Sequence, residues 1–374
     1  MTDDNLTEQC DWLSGGNRTE PRVTELPDAA SCLFLSVLPD GEAVPALVCV
    51  FVLLTLFSFL VNAFTLFGLE RSEDLSWEPR VALFYNLILS DLLQTATQGP
   101  TVIHSLIQRR TIAFSTWCHV QYFVGTVSLF SSLLTITCMA LERYFYVCHA
   151  IRYLSILTQS RLRLSLCLIW GYSISVTATN MLLLLQTGQQ NEQVTRGLLC
   201  EPDMMEQYMG FPRAPAVFRK LTGSFTLLLC LLVYGLSYMR MYQDARKAMI
   251  PFNRINSKAR KTVLFYCAML FLQLLPLLLK VTSDALWEVE GTSAMIASSQ
   301  EKPSSSTTAA VLHMSLLVML LVPPCINPLV YGLRNVEMRQ ALFKPLRFCL
   351  ERRGAAECRL EEMRVDIVLN NRSQ

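Results

Sequence analysis

Along the chain, long apolar stretches alternate with short polar connections. Seven of the stretches carry almost no charge: Val44–Leu69, Ala82–Ile107, Cys118–Val147, Leu162–Leu185, Phe218–Met241, Thr262–Thr282 and Thr307–Leu333. Each reaches the roughly 20 residues a helix needs to cross a bilayer. Lipid offers no partner for backbone N–H and C=O groups, so each must be helical, and none shows the period-two alternation of barrel strands. The pattern predicts an all-α membrane protein: a seven-transmembrane helix bundle over residues 44–333, after a polar tail at 1–43. Residues 334–349 set Val336, Ala341, Leu342 and Leu346 among Arg334, Arg339, Lys344 and Arg347, the pattern of a short amphipathic helix lying on membrane lipid. Residues 350–374 read as a cytoplasmic tail, and Cys349 is a palmitoylation candidate.

Composition sharpens this picture. The chain is 52% hydrophobic and 17% charged, where a soluble domain carries about 25% charge, and the deficit is confined to the apolar stretches. Its net charge of +2 gives no reason to expect a nucleic-acid partner. Thirteen cysteines in 374 residues are too dilute for a disulfide scaffold. Most lie inside apolar stretches, where a thiol behaves as a small hydrophobe. Cys10, Cys32, Cys118 and Cys200 lie outside or at the edges, and nothing in the spacing says whether Cys10 and Cys32 pair.

Basic residues in the short loops set the orientation. The connection between the fifth and sixth stretches holds Arg246, Lys247, Arg254, Lys258, Arg260 and Lys261 against Asp244, while the N-terminal tail is rich in Asp and Glu. The expected arrangement is a multi-pass protein of the plasma membrane with its N-terminus outside. Asn5 and Asn17 stand in Asn-x-Thr triplets within that tail and are glycosylation candidates. The tail is too polar for a cleavable signal, so the first apolar stretch is expected to direct insertion itself.

Ionisable and amide side chains inside a span mark function by default. Asp91 lies mid-span in "NLILSDLLQ", and Asn62, Ser132 and Asn327 fall at similar depth on other spans. Together they predict a polar core that either ties the helices together or changes charge between states. A sodium ion beside Asp91 is compatible with this cluster. Glu142 and Arg143 stand adjacent where the third span leaves hydrocarbon, about 37 Å along the helix from Cys118. They read either as an interfacial pair with Arg143 extended to the headgroups or as a switch. In the last span, Pro323, Pro324 and Pro328 each remove a backbone donor, freeing carbonyls that Asn327 can help satisfy.

These residues together resemble the rhodopsin-like (class A) G-protein-coupled receptors across roughly Ala43 to Cys349. The likeness rests on Asn62, Leu87-x-x-x-Asp91, Cys118 with Cys200, Glu142-Arg143-Tyr144, Trp170, Pro276 and Asn327-Pro328-x-x-Tyr331, in order and at matching spacing. Within the family, "MALERYFYVCHAIRY", "SKARKTVLFYC" and "PPCINPLVYGLRN" are similar to odorant receptors of the fish type.

The resemblance implies a Cys118–Cys200 disulfide and a heterotrimeric G protein as partner. It implies a resting state in which Glu142 neutralises Arg143, with Tyr144 on the G-protein face. Asn327, Pro328 and Tyr331 would belong to the switch. Departures from the family pattern leave Tyr234 as the remaining switch residue of the fifth span, and Leu274 stands where a Trp is usual. Pro323 stands where many relatives place an Asn for sodium, which weighs against an ion at Asp91.

The same likeness places a ligand pocket at Gly125, Thr126, Leu129, Phe130, Gln273 and Leu317, apolar with a few polar handles. Gly125 stands where amine receptors carry an Asp, which speaks against a biogenic amine. Leu321 stands where opsins carry the Schiff-base Lys, which excludes retinal attachment. No zinc-hydrolase motif occurs among the four histidines and no phosphate-binding loop is present, so an enzyme or a resident cofactor is not expected. Two readings stand: a receptor for small odorant-like molecules, or a non-olfactory receptor for a peptide or lipid.

Overall fold

Helix α1 (Ala43–Glu70) is polar where it is buried and apolar where it is exposed. Phe51, Thr55, Ser58, Asn62, Thr65 and Leu69 are buried, at alternating spacings of four and three that align them on one face. Leu53, Phe57, Leu60, Phe64 and Phe67 point outward. A protein folded in water would invert this arrangement. In a bilayer, lipid is as apolar as leucine, and hydroxyls and amides draw the helices together.

The computed structural model describes residues 43–70, 78–108, 112–113, 116–187, 196–197, 213–247 and 318–332, with isolated helical positions between 264 and 275. After α1 come α2 (Pro79–Gln108), α3 (Thr116–Cys148), α4 (Gln159–Thr187) and α5 (Arg213–Lys247). The last helix, α6 (Val318–Gly332), occupies part of the seventh predicted span. The sixth predicted span is helical at Leu264, Phe265, Ala268, Phe271, Leu272 and Leu275. The tail carrying Asn5 and Asn17, the amphipathic stretch 334–349 and its Cys349 lie outside the described residues. So do Cys200, Gln273, Pro276 and Leu317.

Among the described residues, α1, α3, α4 and α5 are long and apolar enough to cross a membrane. Helix α2 is as long, at 30 residues, but its bundle-facing side carries Asn86, Ser90, Asp91, Gln94, Thr95, Thr101 and Ser105, all buried. Helix α3 is the central element and packs against α2, α4 and α5, while α1 packs on α2. Below, the end of the bundle bearing Cys118 is the mouth and the end bearing Arg143 is the base. The largest apolar cluster fills the base and joins Phe84, Leu87, Ile136, Met139, Tyr234 and Tyr331 from four helices.

The sequence pattern did not anticipate a two-residue antiparallel ladder at the mouth. It pairs Ile112 with Gly197 and Ala113 with Arg196, so the segment after α4 lies against the segment after α2. At the base, the connection from α3 to α4 folds into a tight turn at Ala150–Arg152 and a single helical turn at Tyr153–Ile156.

Candidate functional site

Proline shapes the centre of the bundle. In an α-helix the carbonyl of residue i accepts from the N–H of residue i+4. Pro324 and Pro328 have no N–H, so the carbonyls of Leu320 and Pro324 lose their partners within α6. Two side chains from neighbouring helices replace them. Gln94 on α2 donates through Nε2 to the Leu320 carbonyl at 3.1 Å, and Asn62 on α1 donates through Nδ2 to the Pro324 carbonyl at 2.9 Å. The sequence had pointed to Asn327 for this task. Asn327 instead donates to Asp91 Oδ2 at 2.8 Å. Beyond Asn327 the helix widens into a π-turn over Pro328–Gly332, the form such turns often take at functional positions.

The predicted polar core is assembled around that helix. Asp91 is 1% exposed, and its other carboxylate oxygen accepts from Ser132 on α3 at 3.5 Å. Asn62 also reaches Ser58, Ser58 pairs with Thr95, and Thr95 donates to the Asp91 backbone carbonyl. Asp91, Asn62, Ser132 and Asn327 thus meet in one network across α1, α2, α3 and α6. A second network lies closer to α4: Trp170 donates to Asn86 Oδ1 at 2.7 Å, and Asn86 donates to Thr135 at 2.7 Å.

At the base, Glu142 is 3% exposed. Its partners differ from the expected one. Arg80, in the first turn of α2, donates through Nε to Glu142 Oε1 at 2.9 Å, and the Tyr153 hydroxyl donates to the same oxygen at 2.7 Å. The reason is geometric: adjacent helical residues are splayed about the axis and do not face each other. Antiparallel packing brings the start of α2 beside the end of α3 instead. The Arg80 guanidinium also lies over the Tyr146 ring, 3.6 Å from its centroid. Burial, then the Glu142 hydrogen bond, holds the Tyr153 phenol above its ordinary range, so it stays a donor at physiological pH.

Arg143 turns toward α6, its guanidinium carbon 5.3 Å from the centroid of the Tyr331 ring. Tyr234 stacks on Tyr238 at 4.6 Å within the same apolar cluster as Tyr331. Tyr144 lies beside His149, at 5.4 Å between ring centroids. Helix α6 therefore meets the base through Tyr331 beside Arg143 and the polar core through Asn327 on Asp91.

At the mouth, Cys118 is buried and disulfide-bonded. The other described cysteines are free, so its partner lies outside the described residues, as Cys200 does. Below it, α3, α4 and α5 enclose a cleft with about 220 Å³ of atom-free space, part of it open. Of the predicted pocket residues, Thr126 and Phe130 line it, with Tyr122, Val176, Thr177, Asn180, Arg219 and Thr222. Gly125 is turned toward α2, where a Cβ would stand 3.3 Å from Gln98 Nε2. Leu129 is exposed and does not line this cleft.

Sequence reasoning missed Arg80, Tyr153, Gln94, Asn86, Asn180 and Arg219. Gln94 and Asn86 carried a usable signal, being uncharged amides at bilayer depth. The arginines stand near helix ends, where charge is unremarkable in sequence.

A family model described as 7 transmembrane receptor (rhodopsin family) matches residues 61–331. The chain is 24% identical to melanopsin of Homo sapiens over 314 residues, 79% of this chain and 61% of that protein. It is 25% identical to odorant receptor 131-2 of Danio rerio over 232 residues, 62% of this chain and 65% of that protein. It is 23% identical to olfactory receptor 2AG2 of Homo sapiens over 324 residues, 84% of this chain and 93% of that protein. The chain spans less than two thirds of the first two proteins and nearly all of the third.

Proposed function

The chain belongs to the rhodopsin family of seven-transmembrane receptors, and from that membership we propose that it binds a small odorant-like molecule within its bundle and activates a heterotrimeric G protein. As a multi-pass membrane protein of this family, it would act at the plasma membrane with its N-terminus outside. The observation that carries this reading is that α6 bonds to Asp91 through Asn327 and meets Arg143 through Tyr331, within the same stretch of helix. Polar groups at that depth are retained when they pair with one another and mark function, and a ligand that prefers one of two arrangements of such a network shifts the population.

In this reading Arg143 and Tyr331 part when the receptor activates, Tyr234 and Tyr144 repack at the base, and the G protein enters there. Pro328 gives α6 the local freedom to move. Similarity to two receptors named for odorants supports the ligand class. The similarity to melanopsin does not extend to the position of a retinal-binding lysine, which is the buried, apolar Leu321. The test is guanine-nucleotide exchange on purified G protein, driven by receptor in nanodiscs with an agonist found by reporter screening. Arg143→Ala is expected to abolish exchange while surface delivery persists. Undiminished exchange would overturn the switch assignment.

A further inference from the structure

The connection between α3 and α4 presents three exposed hydroxyl residues at the base, Ser155, Thr158 and Ser160. Their backbone settings differ. Ser160 lies in the first turn of α4, and the Thr158 carbonyl accepts from the Leu162 N–H, so both are tied to a 29-residue helix. Ser155 lies in the single helical turn Tyr153–Ile156, which ends at Leu157. A four-residue turn opens at far lower cost than a membrane-crossing helix. The Ser155 hydroxyl donates to the Arg152 carbonyl at 2.8 Å, on the protein surface. Two cations flank it. Arg152, three residues earlier, is exposed. Arg161 reaches back from α4 and donates through Nη1 to the Ile156 carbonyl at 3.1 Å, one residue past Ser155. Ile151 and Leu154 stand exposed on the same short segment.

We propose that Ser155 is a phosphorylation site, taken by a kinase that reads an arginine three residues before the acceptor. In the transfer, Ser155 Oγ attacks the γ-phosphorus of ATP and the bond from that phosphorus to the β-phosphate oxygen breaks. ADP leaves, and the hydroxyl proton passes to the kinase's aspartate base. The product carries about −1.5 to −2 charges and three acceptor oxygens. Arg152 and Arg161 can each give it a charge-assisted hydrogen bond, which draws Arg161 off the Ile156 carbonyl. A partner that buries Ile151 and Leu154 must then also desolvate the phosphate, at a cost. Phosphorylation therefore weakens docking of the G protein at the base. The inference rests on the receptor reading above and on its orientation, which turns the base toward the cytoplasm and its ATP.

The experiment incubates the full chain in nanodiscs with ATP and the catalytic domain of a calmodulin-dependent protein kinase, then maps phosphate by tandem mass spectrometry. Trypsin cuts after Arg152 and Arg161 and releases residues 153–161, whose fragments separate Ser155 from Thr158 and Ser160. Phosphate on Ser155 is the expected result. Arg152→Gln should slow its appearance about ten- to hundredfold, the range of a lost charged hydrogen bond to the kinase, and Arg152→Lys should restore part of the rate. Phosphate absent from Ser155, or a rate indifferent to Arg152→Gln, would overturn the site. The same peptide from cells treated with a calcium ionophore should carry the phosphate, and its absence there would overturn the site as well. Guanine-nucleotide exchange reads the consequence: the phosphorylated receptor should be slower than the untreated one, while kinase treatment leaves Ser155→Ala unchanged. Equal exchange by the two forms would remove the docking effect. Exchange by neither form would sink the signalling reading and leave the mapped site standing.

Discussion

Asn62 on α1 donates to the backbone carbonyl of Pro324 on α6, the carbonyl that Pro328 leaves without a partner. Gln94 repeats the arrangement one turn earlier, on the Leu320 carbonyl that Pro324 leaves bare. Distortion of α6 and the amide residues on its neighbours are thus two halves of one device. Removing the amide should strand a buried carbonyl, and removing the proline should restore its helical partner. Gln94→Leu is expected to lower stability by about 1–2 kcal/mol. In a Pro324→Ala background the same change should cost about 1 kcal/mol less. Thermal unfolding of the four proteins of that cycle gives the coupling, and strict additivity would remove the assignment.

Glu142 is held by α2 and by the connection to α4 rather than by its neighbour in sequence. Arg80→Met strips the buried carboxylate of its cation, a kind of loss that is strongly destabilising for buried pairs and milder here because Arg80 is 26% exposed. The expected outcome is elevated ligand-independent signalling at equal surface density. Adding Glu142→Gln should bring it back toward the basal level, because no uncompensated charge is left. Basal signalling unchanged by Arg80→Met would mean that the pair does not restrain the base.

Tyr153 contributes its hydrogen bond only while protonated. Its folded pKa is raised, so its stabilisation is fully present below the unfolded value of about 10 and is lost only as pH climbs through the higher folded value. Tyr153→Phe should therefore lower Tm by the same amount at any pH between roughly 6 and 9. A difference that varies across that window would show that another group titrates with it.

Gly99 on α2 stands close against Thr55 on α1. A Cβ there would stand 2.4 Å from Thr55 Cγ2 and 3.1 Å from Thr55 Cβ, and the latter atom is fixed to the α1 backbone. Gly99→Ala is expected to destabilise by about 1–3 kcal/mol through overpacking, read as lower surface delivery and lower Tm. Thr55→Ala in the same chain should recover most of the loss. An undisturbed Gly99→Ala protein would show that the helices separate freely.

The disulfide at Cys118 predicts a further non-additive pair. Cys118→Ser and Cys200→Ser should each reduce surface delivery, and the double variant should match either single one. A double variant clearly worse than both would assign Cys118 another partner.

The sequence by itself determined what each segment must be. An apolar run of bilayer length can satisfy its backbone only as a helix, whatever surrounds it. A polar side chain within such a run must find another, which made Asn62, Asp91, Ser132 and Asn327 legible as a group before any of them was placed. Prolines likewise announce lost donors. Partner choice was decided only by the tertiary structure, because it depends on the rotation and register of helices far apart in the chain. Glu142 adjoins Arg143 in sequence yet meets Arg80 across the helix interface, and Asn327 turns to Asp91 while Asn62 and Gln94 take the carbonyls beside it. Gly125 and Leu129 share helix α3 with Thr126 and Phe130, but face away from the cleft those two line. Side-chain chemistry states that a partner is needed, and the geometry of packing selects which one.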